Sequence, residues 1–259
     1  MTKFGQHFLV DKKVLRTMVD IVAEYGSHET ILEIGPGRGV LTKELVKMAD
    51  RVIAIEIDQA FKPDLDSLQT KYKNLTVRYS DILKVDLMAL GLTDGNYSLA
   101  SNLPYEITGI VLRKFLTTQP YPKHMGLLIQ YEVAERIVAK PGDLSILGLS
   151  VQALSQPRFI TRVKPDSFRP RPQVDSAIIS LENIRQHALP NESGFFRLIK
   201  AGFAQKRKLL RANLVNIKIP KEAIISAFQE LSLTETARAQ ELSLEQWLVL
   251  VDRLDKFIV

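Results

Sequence analysis

The sequence predicts an α/β protein, a doubly wound sheet followed by a small all-helical domain. Three observations predict it. Residues 31–34 are a short apolar run that ends in glycines at 35, 37 and 39 and passes into a helical pattern with Leu41, Leu45 and Met48 on one face, which reads as strand, tight turn and helix. Apolar strands recur with helical spacings between them as far as residues 176–182, as alternating βα units require. From about Arg185 the strand alternation stops and only helical spacings remain.

Composition sets the outer limits. The chain has 259 residues, enough for one or two domains, and 46% of them are hydrophobic, ordinary for a globular protein. There is no cysteine, which excludes disulfides and thiolate metal sites. His7, His28, His124 and His187 are far apart and form no ligand-spaced pair, so no metal is expected. The N-terminal residues lack the apolar core of a signal peptide, and no run is long enough to span a bilayer. A cytoplasmic protein without a membrane partner is therefore expected. A formal net charge of +6 points to an acidic partner, of which nucleic acid is the commonest.

The chain opens with Phe4-Gly5-Gln6-His7-Phe8-Leu9, an aromatic arm that could close over a ligand or serve only for packing. Asp11 can cap the first helix, whose buried stripe is Val14, Leu15, Met18, Val19 and Val22. In the glycine turn the missing Cβ lets a ligand lie against the backbone at the start of a helix. The spacing there is Gly-x-Gly-x-Gly, not the Gly-x-Gly-x-x-Gly of dinucleotide folds. Glu33, in the strand just before the turn, suits a positively charged ligand better than a pyrophosphate. The second strand, residues 51–58, ends in acid and carries Glu56 at its tip, where a doubly wound sheet holds a ribose diol. The third, residues 75–79, is followed by Asp81, whose carboxylate can accept from an adenine amino group. Glu56 or Asp81 alone would also suit a helix cap. Acids at three successive strand tips together fit S-adenosylmethionine (SAM).

The fourth strand runs from Tyr97 into Asn102-Leu103-Pro104-Tyr105. An exocyclic adenine amine is a poor nucleophile because its lone pair is delocalised into the ring. Two acceptors on its two hydrogens favour a pyramidal nitrogen with the lone pair freed. The Asn102 carboxamide oxygen and the Leu103 carbonyl can supply them, Pro104 restricts Leu103 to an extended backbone, and Tyr105 offers a flat face to the base. A fifth strand over 124–130, helices over 131–138 and 145–154, and closing strands over 158–163 and 176–182 follow. Between the closing strands, prolines at 165, 170 and 172 stiffen a loop carrying Phe168 with Arg169 and Arg171. An aromatic beside arginines suits a flipped base next to a phosphate backbone, or Phe168 plugs the core. In the helical region Arg197, Lys200, Lys206, Arg207, Lys208 and Arg211 cluster with no acid between Phe195 and Leu214, an RNA-phosphate patch or a solvated face. The expected domains are 1–184 and 185–259.

Together these stretches resemble the rRNA adenine N6-dimethyltransferase family, in its small-subunit (16S) branch. The motifs are Gly5-Gln-His-Phe-Leu9, Glu33-Ile-Gly-Pro-Gly-x-Gly-x-Leu-Thr42, Asn102-Leu-Pro-Tyr105, Phe168-x-Pro-x-Pro-x-Val-Asp-Ser176, Ala204-Gln-Lys-Arg-Lys208 and Arg238-Ala-Gln-Glu-Leu-Ser243. The resemblance implies a Rossmann-like SAM-dependent methyltransferase sheet with a C-terminal helical domain. It implies a SAM site at Gln6, His7, Leu9, Glu33, Gly35, Gly37, Glu56, Ile57, Asp81, Ile82 and Asn102. It implies a target adenine between Tyr105 and Phe168, with Asn102, Leu103 and Pro104 as the amine clamp. RNA contacts are expected at Arg169, Arg171, Lys206, Arg207, Lys208 and Arg211. The implied reaction is dimethylation of two neighbouring adenines near the 3′ end of 16S rRNA in a partly assembled small subunit, by a monomer that needs no metal. His7, Tyr131 and Leu147 stand where the family usually has Asn, Lys and Tyr. The alternatives are a 23S rRNA adenine methyltransferase of the antibiotic-resistance type and a non-enzymatic assembly or transcription factor on the same fold. An intact Asn102-Leu-Pro-Tyr105 speaks against the last, since a pure binder has no use for an amine clamp.

Overall fold

Apolar runs bounded by turns become strands, and apolar stripes at helical spacing become the helices that cover them. The computed structural model describes residues 7–24, 30–186 and 189–257. Gly5 and Gln6 of the first motif lie outside the described residues, as do His28 and His187. Strand β1 (Phe8–Leu9) precedes α1 (Lys12–Ala23), which Asp11 caps by accepting from the amides of Lys13 and Val14. Then come β2 (Thr30–Ile34), α2 (Thr42–Met48), β3 (Arg51–Glu56), α3 (Lys62–Lys71), β4 (Leu75–Tyr79), β5 (Tyr97–Asn102), α4 (Thr108–Thr117), β6 (His124–Gln130) and α5 (Tyr131–Ile137). After α6 (Ile146–Leu154) the chain forms β7 (Gln156–Val163), β8 (Phe168–Arg169) and β9 (Ser176–Glu182).

The main sheet has seven strands in the order β4-β3-β2-β5-β6-β9-β7. The first five run parallel, and β9 is antiparallel to both its neighbours. From β2 the chain first winds outward through β3 to β4 and then returns to β5 on the other side. That reversal opens a crevice at the carboxyl ends of the strands, where ligands of doubly wound sheets bind. The central strands are buried on both faces, with Leu32, Ile53, Leu99 and Leu127 at 0% exposure, which is why they read as unbroken apolar runs. A separate ribbon joins β1 to β8, with Phe8 opposite Arg169 and Leu9 opposite Phe168.

The chain divides into two compact units, residues 1–135 with 155–186, and residues 136–154 with 187–259. The second unit holds α6, α7 (Glu192–Gly202), α8 (Leu210–Val215), α9 (Lys221–Glu230) and α10 (Leu244–Leu254) around Trp247, Phe195 and Leu250, all at 0% exposure. The expected boundary at 184/185 therefore needs correction. Leu144 and Leu149 are buried in the helical unit's core, so α6 and the segment before it leave the sheet unit and return to it at β7. Sequence order hides such an excursion because apolar spacing says which face is buried, not against what.

Candidate active site

A cleft of about 440 Å³ opens at the carboxyl ends of β2, β3, β4 and β5. Of the predicted residues described, His7, Leu9, Glu33, Gly35, Gly37, Glu56, Ile57, Asp81, Ile82, Asn102, Leu103, Pro104 and Tyr105 all line it. Gly35 and Gly37 take φ of +64° and +55°, a region that side chains other than glycine's rarely enter. The turn is fixed by β3, with the Gly35 amide donating to Ile55 O at 2.9 Å and the Gly37 amide to Glu56 Oε2 at 2.9 Å. These two amides are thus committed to the protein. Phe8 rests on Gly37: a Cβ there would lie 3.1 Å from its ring.

Glu56 is buried at 1% exposure, and its Oε1 accepts from the Asp58 amide at 2.8 Å. Burial pushes its carboxyl above the usual range, opposed by those amide bonds. A carboxylate has lone pairs beyond the two used, so a diol can still bind. Glu33 is buried at 2% exposure with Oε2 unpartnered. Burial, with Glu56 adding its negative charge, pushes it up to about 8. Hydrogen bonding from the Thr42 amide opposes that rise, and the unpartnered Oε2, buried in a cleft, fits a cationic group, as the amino-acid end of SAM supplies. Asp81 accepts from the Leu83 amide at 2.9 Å, while Ile57 is 51% exposed and Ile82 buried beside it in the cleft lining. The loop bearing Asp81 is pinned by Lys114 of α4, which donates to the carbonyls of Ile82 (2.8 Å) and Val85 (3.1 Å).

Asn102 ends β5. Its Nδ2 donates to the His7 carbonyl at 3.1 Å. A carbonyl only accepts, so this bond fixes which way the amide faces and leaves Oδ1 for a donor in the cleft. His7 is held in turn by Nδ1 bonding the Pro170 carbonyl at 2.7 Å, with its ring 5.9 Å from that of Tyr105. The Tyr105 hydroxyl and Ser176 Oγ share a hydrogen bond of 2.8 Å, which orients the ring. Burial pushes the Tyr105 phenol up, so it stays neutral.

Phe168 does not join this group. It is 1% exposed, belongs to the sheet unit's core and does not line the cleft. Pairing with Leu9 sets its side chain on the buried face of the ribbon, and alternation sends Arg169 out. Phe168 thus sits in the core and not beside the cleft as expected, and the rings that line the cleft are those of Tyr105, Phe8 and His7. Arg169 donates to the carbonyls of Asp166 and Phe168, and Arg171 pairs with Asp166 at 3.2 Å. In the helical unit Lys206, Arg207 and Lys208 are exposed, while Arg211 pairs with Glu235. The turn bearing the lysines is tied by buried Asn213, which donates to the carbonyls of Gly202 and Gln205. Sequence reasoning missed Lys114, Ser176 and Asn213. Ser176 had a signal, as the last residue of the Val-Asp-Ser motif; the other two had none.

The fold and cleft define a class, the Rossmann-like SAM-dependent methyltransferases. Comparison with known proteins narrows it. The family model for ribosomal RNA adenine dimethylase matches residues 1–256. The ribosomal RNA small subunit methyltransferase A of Dehalococcoides mccartyi (strain ATCC BAA-2266 / KCTC 15142 / 195) is 38% identical over 250 residues, 95% of this chain and 85% of that protein. That of Clostridium botulinum (strain Kyoto / Type A2) is 36% identical over 94% of this chain and 90% of its own. Among solved structures, a dimethyladenosine transferase from Plasmodium falciparum superposes with a TM-score of 0.82 at 27% identity, covering 97% of this chain and 98% of that one. The 23S rRNA methyltransferase ErmE gives 0.77 at 26% identity, covering 96% and 99%. The chain belongs to the ribosomal RNA adenine dimethylase family and is accordingly an enzyme, a SAM-dependent methyltransferase acting on rRNA adenine. No helix among the described residues is long and apolar enough to cross a membrane.

The first measurable consequence concerns Glu56. Glu56→Ala is expected to weaken SAM binding by about 1.5–3 kcal/mol, the range for a hydrogen bond to a charged group, with the loss of two amide anchors adding to it. Calorimetry showing unchanged affinity in a folded variant would remove Glu56 from the site.

Proposed function

We propose that the enzyme dimethylates N6 of two neighbouring adenines near the 3′ end of 16S rRNA, on a partly assembled small subunit, as a cytoplasmic monomer. Identity of 36–38% over nearly the whole chain to small-subunit enzymes, against 26% to ErmE, favours 16S over 23S rRNA. Chemically, one observation carries the reading: the Asn102 amide is pinned to the His7 carbonyl at 3.1 Å, which presents Oδ1 at the end of β5.

The bound cofactor would contribute a methyl carbon activated by its sulfonium. Glu56 holds the ribose hydroxyls and Asp81 the adenine amino group, with Ile57 and Ile82 against the ring. Glu33 faces the cationic amino-acid end, and Gly35, Gly37, His7 and Leu9 complete the contact surface. Asn102 Oδ1 and the Leu103 carbonyl accept the two hydrogens of the unmethylated target amine, freeing its lone pair; each transfer releases one of these protons to solvent, so that in the second transfer one acceptor holds the one hydrogen that remains. Tyr105 stacks on the target base. The protein's part is position and electrostatics.

The test is incubation with tritiated SAM and small subunits lacking the modification, followed by mapping of the labelled bases. Label confined to adjacent 3′-proximal adenines of 16S rRNA is expected. Label in 23S rRNA, or none, would refute the proposal.

Lys206, Arg207 and Lys208 are the exposed cations proposed to meet RNA phosphates, with Arg211, Arg169 and Arg171 already engaged by Glu235, Asp166 or nearby carbonyls. Neutralising the three lysine-run residues is expected to flatten the salt dependence of RNA binding by up to about two to three units of slope, since each phosphate contact contributes about 0.7–0.9. An unchanged slope returns them to a solvated face.

A further inference from the structure

The strand order lays the cleft out in chemical sequence. Asp81 follows β4, Glu56 ends β3, Glu33 and the glycine turn end β2, and Asn102 ends β5, and these strands are adjacent in the order β4-β3-β2-β5. With the adenine toward Asp81 and the ribose at Glu56, the amino-acid end of SAM falls at the glycine turn, one strand short of the target amine. That end carries both an ammonium and a carboxylate. Glu33 answers the cation. The charged residues of the cleft are otherwise Glu56, Asp81 and Glu106, and Arg38 is the one arginine or lysine among the described residues that line it.

Arg38 sits on the glycine turn, between Gly37 and Gly39. Its guanidinium centre lies 5.7 Å from the centroid of the Phe8 ring. Phe8 is itself held, resting on Gly37 and meeting Phe61 edge to face at 5.5 Å. An aromatic face restrains a guanidinium while leaving its five donors available. A planar, restrained guanidinium at a cleft mouth is suited to a carboxylate, which it can bind through two parallel bonds.

We propose that Arg38 binds the carboxylate of the cofactor's amino-acid moiety, so that the glycine turn reads a zwitterion, Glu33 taking one charge and Arg38 the other. The inference rests on the SAM site proposed above. It goes beyond it because neither the motif nor the acids at the strand tips assign a residue to the carboxylate.

The experiment is a calorimetric cycle with two ligands, SAM and decarboxylated SAM, and three proteins, wild type, Arg38→Met and Arg38→Lys. Wild type is expected to prefer SAM by about 10-fold, within the range of a charge-assisted hydrogen bond at a partly exposed site. Arg38→Met should lose that preference, weakening for SAM by about 10-fold while holding the decarboxylated ligand as wild type does. Arg38→Lys should keep part of the preference, because it keeps the charge without the planar fork. An undiminished preference in Arg38→Met overturns the inference. So does equal weakening for both ligands, which would mean that Arg38 only shapes the turn. A wild type that binds neither ligand overturns the cofactor site itself, and the inference with it.

Discussion

Asn102→Ala is expected to bind small ribosomal subunits nearly as wild type does and to methylate them on the order of 10²–10³ times more slowly, by analogy with a lost oxyanion-hole donor. The clamp gains most of its strength as the nitrogen becomes pyramidal and positive in the transition state, so its loss falls on kcat and not on substrate affinity. Subunit affinity is expected to come from phosphate contacts elsewhere. SAM affinity should fall modestly, because Asn102 lines the same cleft. The paired measurement is single-turnover methylation at saturating SAM beside subunit binding by sedimentation. Methylation by the variant at the wild-type rate would show that Asn102 Oδ1 does not hold the amine. Because the Asn102 amide is oriented by the His7 carbonyl, removing the N-terminal arm should reproduce part of the same kcat loss.

Glu33→Gln is expected to make the free protein more stable and the cofactor site weaker. Burial holds the Glu33 carboxyl at about 8, against its ordinary 4.5. Between those values the unfolded chain has lost a proton that the folded chain retains, so stability falls as pH rises, by about 1.4 kcal/mol per pH unit. From pH 4.5 to pH 7 that amounts to about 3 kcal/mol, which Gln does not incur because it does not titrate. Binding of a cation favours the ionised carboxyl, so SAM binding to wild type should release a proton at pH 7 and tighten as pH rises toward 8. Glu33→Gln should release none. Denaturant unfolding between pH 5 and 8, and calorimetry in buffers of different ionisation enthalpy, read the two effects. Buried His124, pushed down to about 4, adds its own pH dependence to both proteins, so the difference between them is read, and wild-type and variant stabilities that change in parallel with pH would show that Glu33 is already ionised in the free protein.

Much of the sheet unit was legible in the sequence because its signals are local. A parallel strand buried on both faces is an apolar run, and a turn at φ of +64° and +55° demands glycine. Thus β4, β6 and β9 fall on residues 75–79, 124–130 and 176–182 as the pattern predicted. The three strand-tip acids and the Asn102–Tyr105 motif needed only their position after a strand to be recognised as parts of one cleft.

The sequence by itself determined the strands of the main sheet, the glycine turn, the acids at the strand tips and the Asn102–Tyr105 motif, since each is set by residues within a few positions of one another. Tertiary structure alone decided the rest. The bond that orients Asn102 spans 95 residues and the one that holds His7 spans 163. Phe168 is a core residue because of its pairing with Leu9, and α6 joins the helical unit because Leu144 and Leu149 find their apolar partners there. Arg38 stands over Phe8 although neither residue's neighbours announce it. Side-chain periodicity records how much of a residue is buried, and the identity of its partner is fixed only when distant segments close on each other.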